Sequence, residues 1–335
     1  MKKYFYLMAL VAMAGFVYTS CSEDDDDSTK VTITAGATAD DAALYEIEDP
    51  SQGYVKEIDG VKYALSKIEF TEDYGAILQF DELATKAAEA YSGSMWGWYK
   101  FTKDGDDKFK VLGFGDIIVE TAKDQGGYHK RSHITLIPTD VNTIDVYASL
   151  VDQKISGELA DYLCHTWTIS QARIIVNDYS YTSDNTRHLR QYASSWIKET
   201  EGTVHLMELI NYANSEHNAG LNTDLGERNI VESLVFTGNG TFMINYANTK
   251  LCDIGSWSWA SQDTSEKSGA FSYIWYNEEM GNDLLGGAAT IKFSGNEADL
   301  RLAGTDRSGV GSGTGHNSEY TGSDFEVQFK LQLAN

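Results

Sequence analysis

The sequence predicts an all-β protein made of two antiparallel β-rich units, and three observations support this fold class. Glycine is plentiful (30) and proline scarce (2), while Tyr (20), Phe (13) and Trp (7) are residue types typical of strands. Short segments of alternating apolar and polar residues recur between turn residues along the chain. A length of 335 residues corresponds to about two domains. The hydrophobic content of 42% is sufficient for packed cores, which argues against global disorder.

Residues 1–20 have the pattern of a lipoprotein signal peptide. Lys2 and Lys3 give a positive start, and the apolar run 4–17 follows. This run is shorter than the roughly 20 residues of a transmembrane helix and has the length of a signal-peptide core. Small residues then precede Cys21, which resembles a bacterial lipoprotein signal. The resemblance implies that Cys21 becomes the acylated first residue, with palmitate among its acyl chains. Ordinary secretion with a chance cysteine is the alternative.

Residues 21–30 are predicted to be a lipidated acidic tether. The acidic run 23–27 cannot fold by itself, because its like charges repel one another. A cysteine and a serine followed by acidic residues resemble the surface-export signal of lipoproteins from Bacteroidetes. That resemblance implies an outer-membrane protein whose folded part faces the medium at the cell surface.

The charge balance excludes some partners. The chain has 26 Lys+Arg against 50 Asp+Glu, a formal net charge of −24. A nucleic-acid binder needs Lys and Arg to neutralise phosphates, so we expect no nucleic-acid partner. The same charge opposes docking of side chains on an anionic membrane surface. We therefore expect the protein to contact the membrane through its lipid anchor.

The two β-rich units are predicted at residues 31–154 and 158–335, with a polar junction between them. Each unit has about eight strand-like segments, and the second opens with a long strand that contains Trp167. Apolar residues at helical spacing predict a helical insertion over about residues 185–217 of the second unit. These residues are Leu189, Tyr192 or Ala193, and Trp196, followed by Val204, Met207, Ile210 and Ala213.

The two halves of the chain resemble each other. Residues 68–73 parallel residues 234–239, each with a strand that ends in Phe-Thr before a turn. The Trp-x-Trp segment 93–98 likewise parallels the segment 255–259. A duplicated β-domain explains this order better than chance similarity between β-rich segments, which remains the alternative.

The second half resembles the lipocalin-like domains of surface-exposed Bacteroidetes lipoproteins over about residues 160–335. Trp167 near the start of the first strand, the turn 236–240 and the strand 255–259 occur in the order that the family has. His165 stands where the lipocalin signature has glycine, and the helical stretch is an insertion relative to a plain barrel. The resemblance implies an eight-stranded barrel or half-barrel, and ligand binding without catalysis.

Aromatic strands in the second half form the candidate ligand site. Side chains alternate between the faces of a strand, so Trp257 and Trp259 share one face, and Tyr273 and Trp275 share one on the following strand. Three interpretations stay open: a packed core, an aromatic cavity for a small apolar or aromatic ligand, and an exposed platform that stacks on a glycan.

No catalytic, metal or cofactor site is expected. His129 and His133 lie four residues apart beside a strand, where this spacing does not bring side chains together. A G-x-S-x-G motif is absent from the sequence. Cys164 and Cys252 could form a disulfide or remain two buried thiols. The alternative to a binding protein is a structural or interaction lipoprotein that partners an outer-membrane complex; a hydrolase with an unrecognised site is the third hypothesis.

Overall fold

The computed structural model describes residues 42–58, 60–83, 94–121, 131–151, 154–181, 187–199, 203–217, 229–247, 252–276, 284–306 and 322–334. Within these ranges the chain forms two closed antiparallel barrels of eight strands each, so the predicted fold class is confirmed. No helix within these ranges is both long and apolar enough to cross a membrane. The predicted signal peptide and acidic tether lie outside the described residues.

The first barrel is an antiparallel meander. Its sheet has nine strands, eight of which form the closed ring. They are Ala43–Ile47 (β1), Val55–Ile58 (β2), Val61–Phe70 (β3), Gly75–Glu82 (β4), Ser94–Lys103 (β5), Lys108–Val111 (β6), Gly115–Thr121 (β7), Arg131–Pro138 (β8) and Ile144–Val151 (β9). Neighbouring strands pair in sequence order from β2 to β9. The ring closes because β1 pairs with both β3 and β9, which leaves β2 outside the ring on the edge of β3.

The second barrel repeats this plan. Its sheet contains Thr166–Tyr181 (β10), Arg187–Ala193 (β11), Ile197–Lys198 (β12), Val204–His205 (β13), Ile230–Phe236 (β14), Thr241–Tyr246 (β15), Cys252–Asp263 (β16), Ser268–Tyr276 (β17), Leu284–Ser294 (β18), Glu297–Asp306 (β19) and Gly322–Leu333 (β20). Strand β10 pairs with both β14 and β20 and closes the ring. The helices are Pro50–Gln52 (a 3-10 turn), Glu158–Leu163 (α1) and Leu206–His217 (α2).

Equivalent hairpins connect β3 to β4 and β14 to β15. Ile68 pairs with Leu78 in the first barrel as Leu234 pairs with Ile244 in the second. The turns also share their hydrogen bonds. The Thr71 amide donates to the Gly75 carbonyl at 2.8 Å and the Thr237 amide to the Thr241 carbonyl at 2.9 Å. Each threonine hydroxyl in turn accepts from the amide four residues on, at 3.0 and 3.1 Å. The predicted Phe-Thr repeat therefore corresponds to one recurring structural unit.

The two Trp-x-Trp segments are not equivalent, so that part of the predicted repeat is wrong. Trp98 lies opposite Ile77 in the first barrel. At the equivalent place in the second barrel, Ile254 lies opposite Met243. Trp257 and Trp259 therefore lie further along their strand than Trp98 does. Matching the tryptophans by sequence shifted the alignment, because the strand pairing and not the residue type fixes the register.

The predicted helical insertion is correct for its second segment and wrong for its first. Helix α2 confirms the second run of helical spacing, which the sequence placed between Val204 and Ala213. Residues 187–193, however, form strand β11, which pairs with the far end of β10 from Ile175 to Tyr181. Strand β10 is 16 residues long, whereas β14 pairs only with Thr166 to Thr168, and the remaining edge accepts β11. Three apolar residues were too few to separate a helical from a strand pattern, and backbone pairing decided the outcome.

The barrels contact each other through a surface that we call the joint. Its apolar part consists of Ile77 and Trp98 from the first barrel and Val235, Met243 and Ile254 from the second. Ile77 and Met243 occupy equivalent positions, as do Trp98 and Ile254. The barrels therefore meet through corresponding faces of corresponding strands.

The joint also buries a carboxylate. Glu69 occupies the position equivalent to Val235 and is only 3% exposed. Its oxygens accept hydrogen bonds from Asn239 Nδ2 at 2.9 Å and from Thr241 Oγ1 at 2.7 Å. Burial raises the pKa of Glu69, and the hydrogen bonds from the second barrel oppose this shift.

Two further acids extend the polar part of the joint. The Gly238 amide donates to Glu72 Oε1 at 3.2 Å, and burial raises the pKa of Glu72. The carboxylate of Asp73 accepts from His165 Nδ1 at 2.7 Å and from the Thr166 amide. Burial lowers the pKa of His165, but the hydrogen bond and charge of Asp73 outweigh burial, and the net shift of this pKa is upward. The β3–β4 turn thus reaches the start of β10.

Cys164 and Cys252 do not form a disulfide with each other in the structure. Cys164 follows helix α1 and is buried, and burial raises its pKa. Cys252 begins β16 beside the apolar part of the joint. Burial raises the pKa of Cys252 to about 12. Both are therefore thiols at neutral pH and poor nucleophiles.

Candidate functional site

The interior of the second barrel receives two of the four predicted aromatics. Trp257 and Tyr273 face the core from paired positions on β16 and β17 and are 3% and 5% exposed. Trp259 is half-buried, with its ring centroid 5.3 Å from that of Trp257. Trp275 lies on β17 opposite Gly255, and its side chain is outside the described residues.

Trp257 is packed on several sides. Its ring meets those of Phe236 and Phe271 edge to face, with centroids 6.1 and 5.9 Å away. The indole Nε1 donates a hydrogen bond of 3.1 Å to the Thr237 carbonyl. This side chain therefore ties the barrel interior to the β14–β15 turn, and its contacts are those of a core residue.

A small apolar cavity remains inside this barrel. Among the described residues that line it, Tyr273 is the one that the sequence singled out, and Phe236, Phe242 and Phe271 form much of the wall. Its volume is about 20 Å³. A single water needs about 10–15 Å³ on this measure, so the cavity is far smaller than a sugar or aromatic ring.

A larger cavity lies on the outside of the second barrel, and we call it the outer groove. It has a volume of about 290 Å³ and lies over the outward faces of β10, β19 and β20. Its polar and aromatic lining consists of Arg173, Trp196, Asp299, Arg301, Gln328 and Lys330. Gln328 and Lys330 point outward because Phe329 between them is buried in the core.

Strand register places the groove's charged side chains in two rows. Gln328 pairs with Arg173 on one side and Arg301 on the other, so the first row has an amide between two guanidinium groups. In the second row Lys330 pairs with Asp299. The four charged side chains carry three positive charges and one negative charge, in a protein whose net charge is −24.

Trp196 forms the aromatic wall of the groove. The Arg173 guanidinium carbon lies 4.4 Å from the Trp196 ring centroid and Lys330 Nζ 5.4 Å from it, both within cation–π range. Arg173 Nε also donates to Gln328 Oε1 at 2.6 Å. The ring and the hydrogen bond together hold the Arg173 side chain along the wall.

The backbone before Trp196 is fixed against β10. The Ser194 amide donates to the Ile174 carbonyl at 2.9 Å, and the Ile174 amide donates to Ser194 Oγ at 3.1 Å. Strand β12 then pairs with Gln171 and Ala172. Trp196 therefore lies between two anchored points of the backbone, which limits the positions that its ring can take.

The sequence did not identify this groove. Its side chains come from segments separated by more than a hundred residues, and the spacing of apolar residues places Trp196 on the face of a helix, whereas residues 187–193 form strand β11. The one available signal was the outward-facing pair Gln328 and Lys330 around an apolar residue of the last strand.

The described part of the chain contains no group of three His, Cys, Asp or Glu side chains placed to hold a metal ion. His133 on β8 is half-buried, and its two ring nitrogens each lie 3.4 Å from a carboxylate, Nδ1 from that of Glu120 and Nε2 from that of Asp145. His129 lies outside the described residues.

The polar groups of the outer groove can bind and orient a ligand by charge, hydrogen bonding and stacking.

Comparison with known proteins identifies no relative by sequence: no family model matches the chain, and neither does any curated protein. Among solved structures it is similar to a Trp-176-Ala mutant of the vaccine antigen transferrin binding protein B from Haemophilus parasuis. That match has 7% identity and a TM-score of 0.20, and covers 88% of this chain and 60% of the other. Intact Ap-TbpB, with N and C lobes, matches at 7% identity with a TM-score of 0.14, over 87% of this chain and 60% of the other.

The chain therefore spans about three fifths of the length of these structures. At such TM-scores the likeness carries no information about ligand or partner. The fold defines a protein of two closed, eight-stranded antiparallel barrels joined face to face.

Proposed function

We propose that the chain is a non-catalytic binding protein, held at the surface of the outer membrane by a lipid on Cys21, that takes a small molecule or glycan. The observation that carries this proposal is the outer groove. Its volume of about 290 Å³ compares with about 20 Å³ for the cavity inside the second barrel. Pockets for small ligands begin at about 300 Å³, so the groove is the right size for one small ring.

The scaffold under the groove supports this proposal. Its charged residues lie on strands of a closed ring, and strands hold side chains more rigidly than loops do. Trp196 supplies an aromatic face beside hydrogen-bonding groups, a combination that orients as well as retains a ligand. The lipid anchor and the surface location rest on Cys21 and the acidic run after it.

The alternative is a structural or interaction lipoprotein that partners an outer-membrane complex. The observation that favours it is the nearly filled interior of the second barrel, where Trp257 packs against other aromatic rings. A filled barrel would act as a rigid support that presents its loops to another protein.

The experiment that separates these functions is native mass spectrometry of the full chain, purified in detergent from its own cells. We expect a small molecule that stays bound to the wild type and is lost from Trp196→Ala. The matched control is Tyr147→Ala, which removes another arginine-stacked aromatic: Tyr147 is 50% exposed on the first barrel and has Arg131 Cζ 4.0 Å from its ring centroid.

The control variant should keep the small molecule. Protein that carries no small molecule in any of the three forms would overturn the binding proposal and leave the interaction function. Equal loss from both variants would contradict the assignment to the groove.

A further inference from the structure

We propose that the outer groove recognises a carboxylate-bearing sugar, a single hexuronate unit, with its carboxylate on the guanidinium groups and its hydroxyl groups towards Asp299. This inference rests on the proposed binding function and names the chemical class of its ligand. It is argued from the charge, the hydrogen-bonding groups and the size of the groove.

The positive side of the groove is built around Arg173. This side chain is half-buried, and its Nε is already engaged by Gln328. Among the described residues no acceptor takes its two Nη groups, which remain available for a carboxylate. Arginine presents donors in a planar fork that matches the two oxygens of a carboxylate.

Arg301 and Lys330 add positive charge on either side of Gln328. Arg301 Nε lies 4.0 Å from Glu326 Oε1 in a loose ion pair, and the Arg301 side chain is 59% exposed. Lys330 shares the Trp196 ring with Arg173. The groove therefore has more positive charge than its own acids neutralise, although the whole molecule is strongly acidic.

The groove residues other than the three cations indicate a ligand that has more than a negative charge. Asp299 lines the same groove, and its carboxylate would repel a bare inorganic anion while accepting hydrogen bonds from hydroxyl groups. Gln328 is held at both ends, because its Oε1 accepts from Arg173 Nε and its Nε2 donates to Glu326 Oε1, so it fixes the positions of the groups in the first row. A ligand with a carboxylate at one end and hydroxyl groups at the other satisfies both signs of charge. Trp196, whose ring has Arg173 and Lys330 over it, holds these two cations in place.

The volume limits the ligand to one unit. About 290 Å³ is at the low end of ligand-pocket sizes, which extend from about 300 to 1,000 Å³. One pyranose ring with its carboxylate fits this scale, whereas an enclosed oligosaccharide does not. The long-range field of the acidic surface is screened within about 8 Å at physiological salt, so the local cations decide recognition there.

Isothermal titration calorimetry of the full chain in detergent, at physiological salt, tests the proposal with three probes. These are methyl glucuronide, its neutral counterpart methyl glucoside, and sodium acetate. We expect methyl glucuronide to bind at least about tenfold more tightly than either of the others, a difference of about 1.4 kcal/mol.

Three variants locate the binding. Arg173→Gln and Trp196→Ala should each weaken methyl glucuronide binding at least about tenfold. Arg131→Gln is the matched control, because Arg131 is also an arginine over an aromatic ring, with its Cζ 4.0 Å from the Tyr147 ring centroid, and it lies on the first barrel. It lies outside the groove and should leave the Kd unchanged. Circular dichroism at each step verifies that the variants are folded.

Each contrary result overturns a distinct part of the proposal. Equal affinity for glucuronide and glucoside would contradict recognition of the acid, while leaving a sugar site in the groove. Equal affinity for acetate would contradict recognition of the sugar. Absence of binding by all three probes would overturn the hexuronate assignment; the broader binding function would then still be supported if native mass spectrometry finds a molecule that Trp196→Ala loses.

Discussion

Thr241 of the second barrel donates a hydrogen bond of 2.7 Å from its hydroxyl to Glu69 of the first, across an interface that buries this carboxylate. Asn239 binds the other carboxylate oxygen, and neither donor carries a formal charge. The pairing therefore satisfies the hydrogen-bonding capacity of Glu69 without neutralising it. This makes the joint sensitive to the protonation of a single side chain.

The first prediction is that deprotonation of Glu69 in the joint lowers the stability of the folded protein as pH rises. Burial raises its pKa in the folded protein above the unfolded value of 4.5. The folded state therefore binds a proton more readily, and stability is lost as pH rises from about 4.5 through the folded pKa. Glu69→Gln removes this titration and keeps the shape. We expect the difference between the melting temperatures of Glu69→Gln and wild type, variant minus wild type, to become larger as pH rises from 4.5 to 8.

The control for this prediction is Glu57→Gln on the exposed edge strand β2. Its melting temperature relative to wild type should be flat over the same range. A constant difference between Glu69→Gln and wild type at all pH values would contradict a titrating carboxylate in the joint.

The second prediction concerns the ion pair of Asp73 with His165. The His165 side chain is 2% exposed and that of Asp73 is 17% exposed, so removing the acid leaves a buried imidazole without its partner. We expect Asp73→Ala to lower the free energy of unfolding by about 3 kcal/mol or more, by analogy with other buried pairs. Urea denaturation measures this change. Asp106→Ala, in the exposed β5–β6 turn, should change stability by less than about 0.5 kcal/mol.

The pKa of His165, like the pKa of Glu69, is higher in the folded protein than in the unfolded chain. Stability from this pair is fully present below the unfolded value of 6.5 and is lost as pH rises through the folded pKa. Asp73→Ala should therefore cost more at pH 6 than at pH 9. A cost that does not vary with pH would contradict a charged imidazole at the joint.

The third prediction separates packing from ligand binding inside the second barrel. Trp257→Ala should cost about 3–5 kcal/mol of stability, because this ring is buried among aromatic neighbours. Trp259→Ala should cost less, because its ring is half-buried. Chemical denaturation measures both. If Trp259→Ala instead loses a bound ligand at little cost in stability, the aromatic site that the sequence predicted would be supported.

The fourth prediction tests the anchor. Cys21→Ala should move the protein from the membrane to the soluble fraction, because this change removes the residue that is proposed to carry the acyl chains. Replacing residues 23–27 with alanine should leave the protein in the membrane but inaccessible to protease added to intact cells. Continued membrane association of Cys21→Ala would contradict the lipid anchor, and unchanged protease access would contradict the export role of the acidic run.

The fifth prediction is that residues 158–335, produced alone, fold with a cooperative thermal transition. All eight strands of the second ring lie between Thr166 and Leu333, so closure needs nothing from the first barrel. The isolated segment would expose Val235, Met243 and Ile254, and we expect it to self-associate at high concentration. Sedimentation and calorimetry measure these properties. An unfolded product would contradict the predicted domain boundary.

Local patterns predicted most strands, because alternation and turn residues act within a few positions. The Phe-Thr turn at Thr237 and the strand around Phe329 are examples. Closure of the rings could not be predicted in the same way, since it depends on β1 and β10 each finding two distant partners. The segment 187–193 shows the same limit: its own residues allowed a helix, and the free edge of β10 made it a strand.

The joint and the outer groove were missed for a related reason. Glu69 has the local pattern of a solvent-facing strand residue, and only its equivalence to Val235 indicates a buried position. Arg173, Trp196 and Arg301 have ordinary surroundings in sequence. Their significance comes from strand register and from the fold of the segment before β12, which no short window contains.

The equivalence of Glu69 and Val235 suggests how the double barrel arose. A one-barrel ancestor with valine at this position could have buried the same face against a second copy of itself, as a symmetric homodimer. Once the two copies were fused in one gene, they no longer had to be identical, and one could acquire a glutamate that only the turn of the other satisfies. Two first barrels would bring two buried carboxylates together, at a cost in desolvation and repulsion. The asymmetry therefore favours pairing of the two barrels within one molecule over exchange of barrels between molecules.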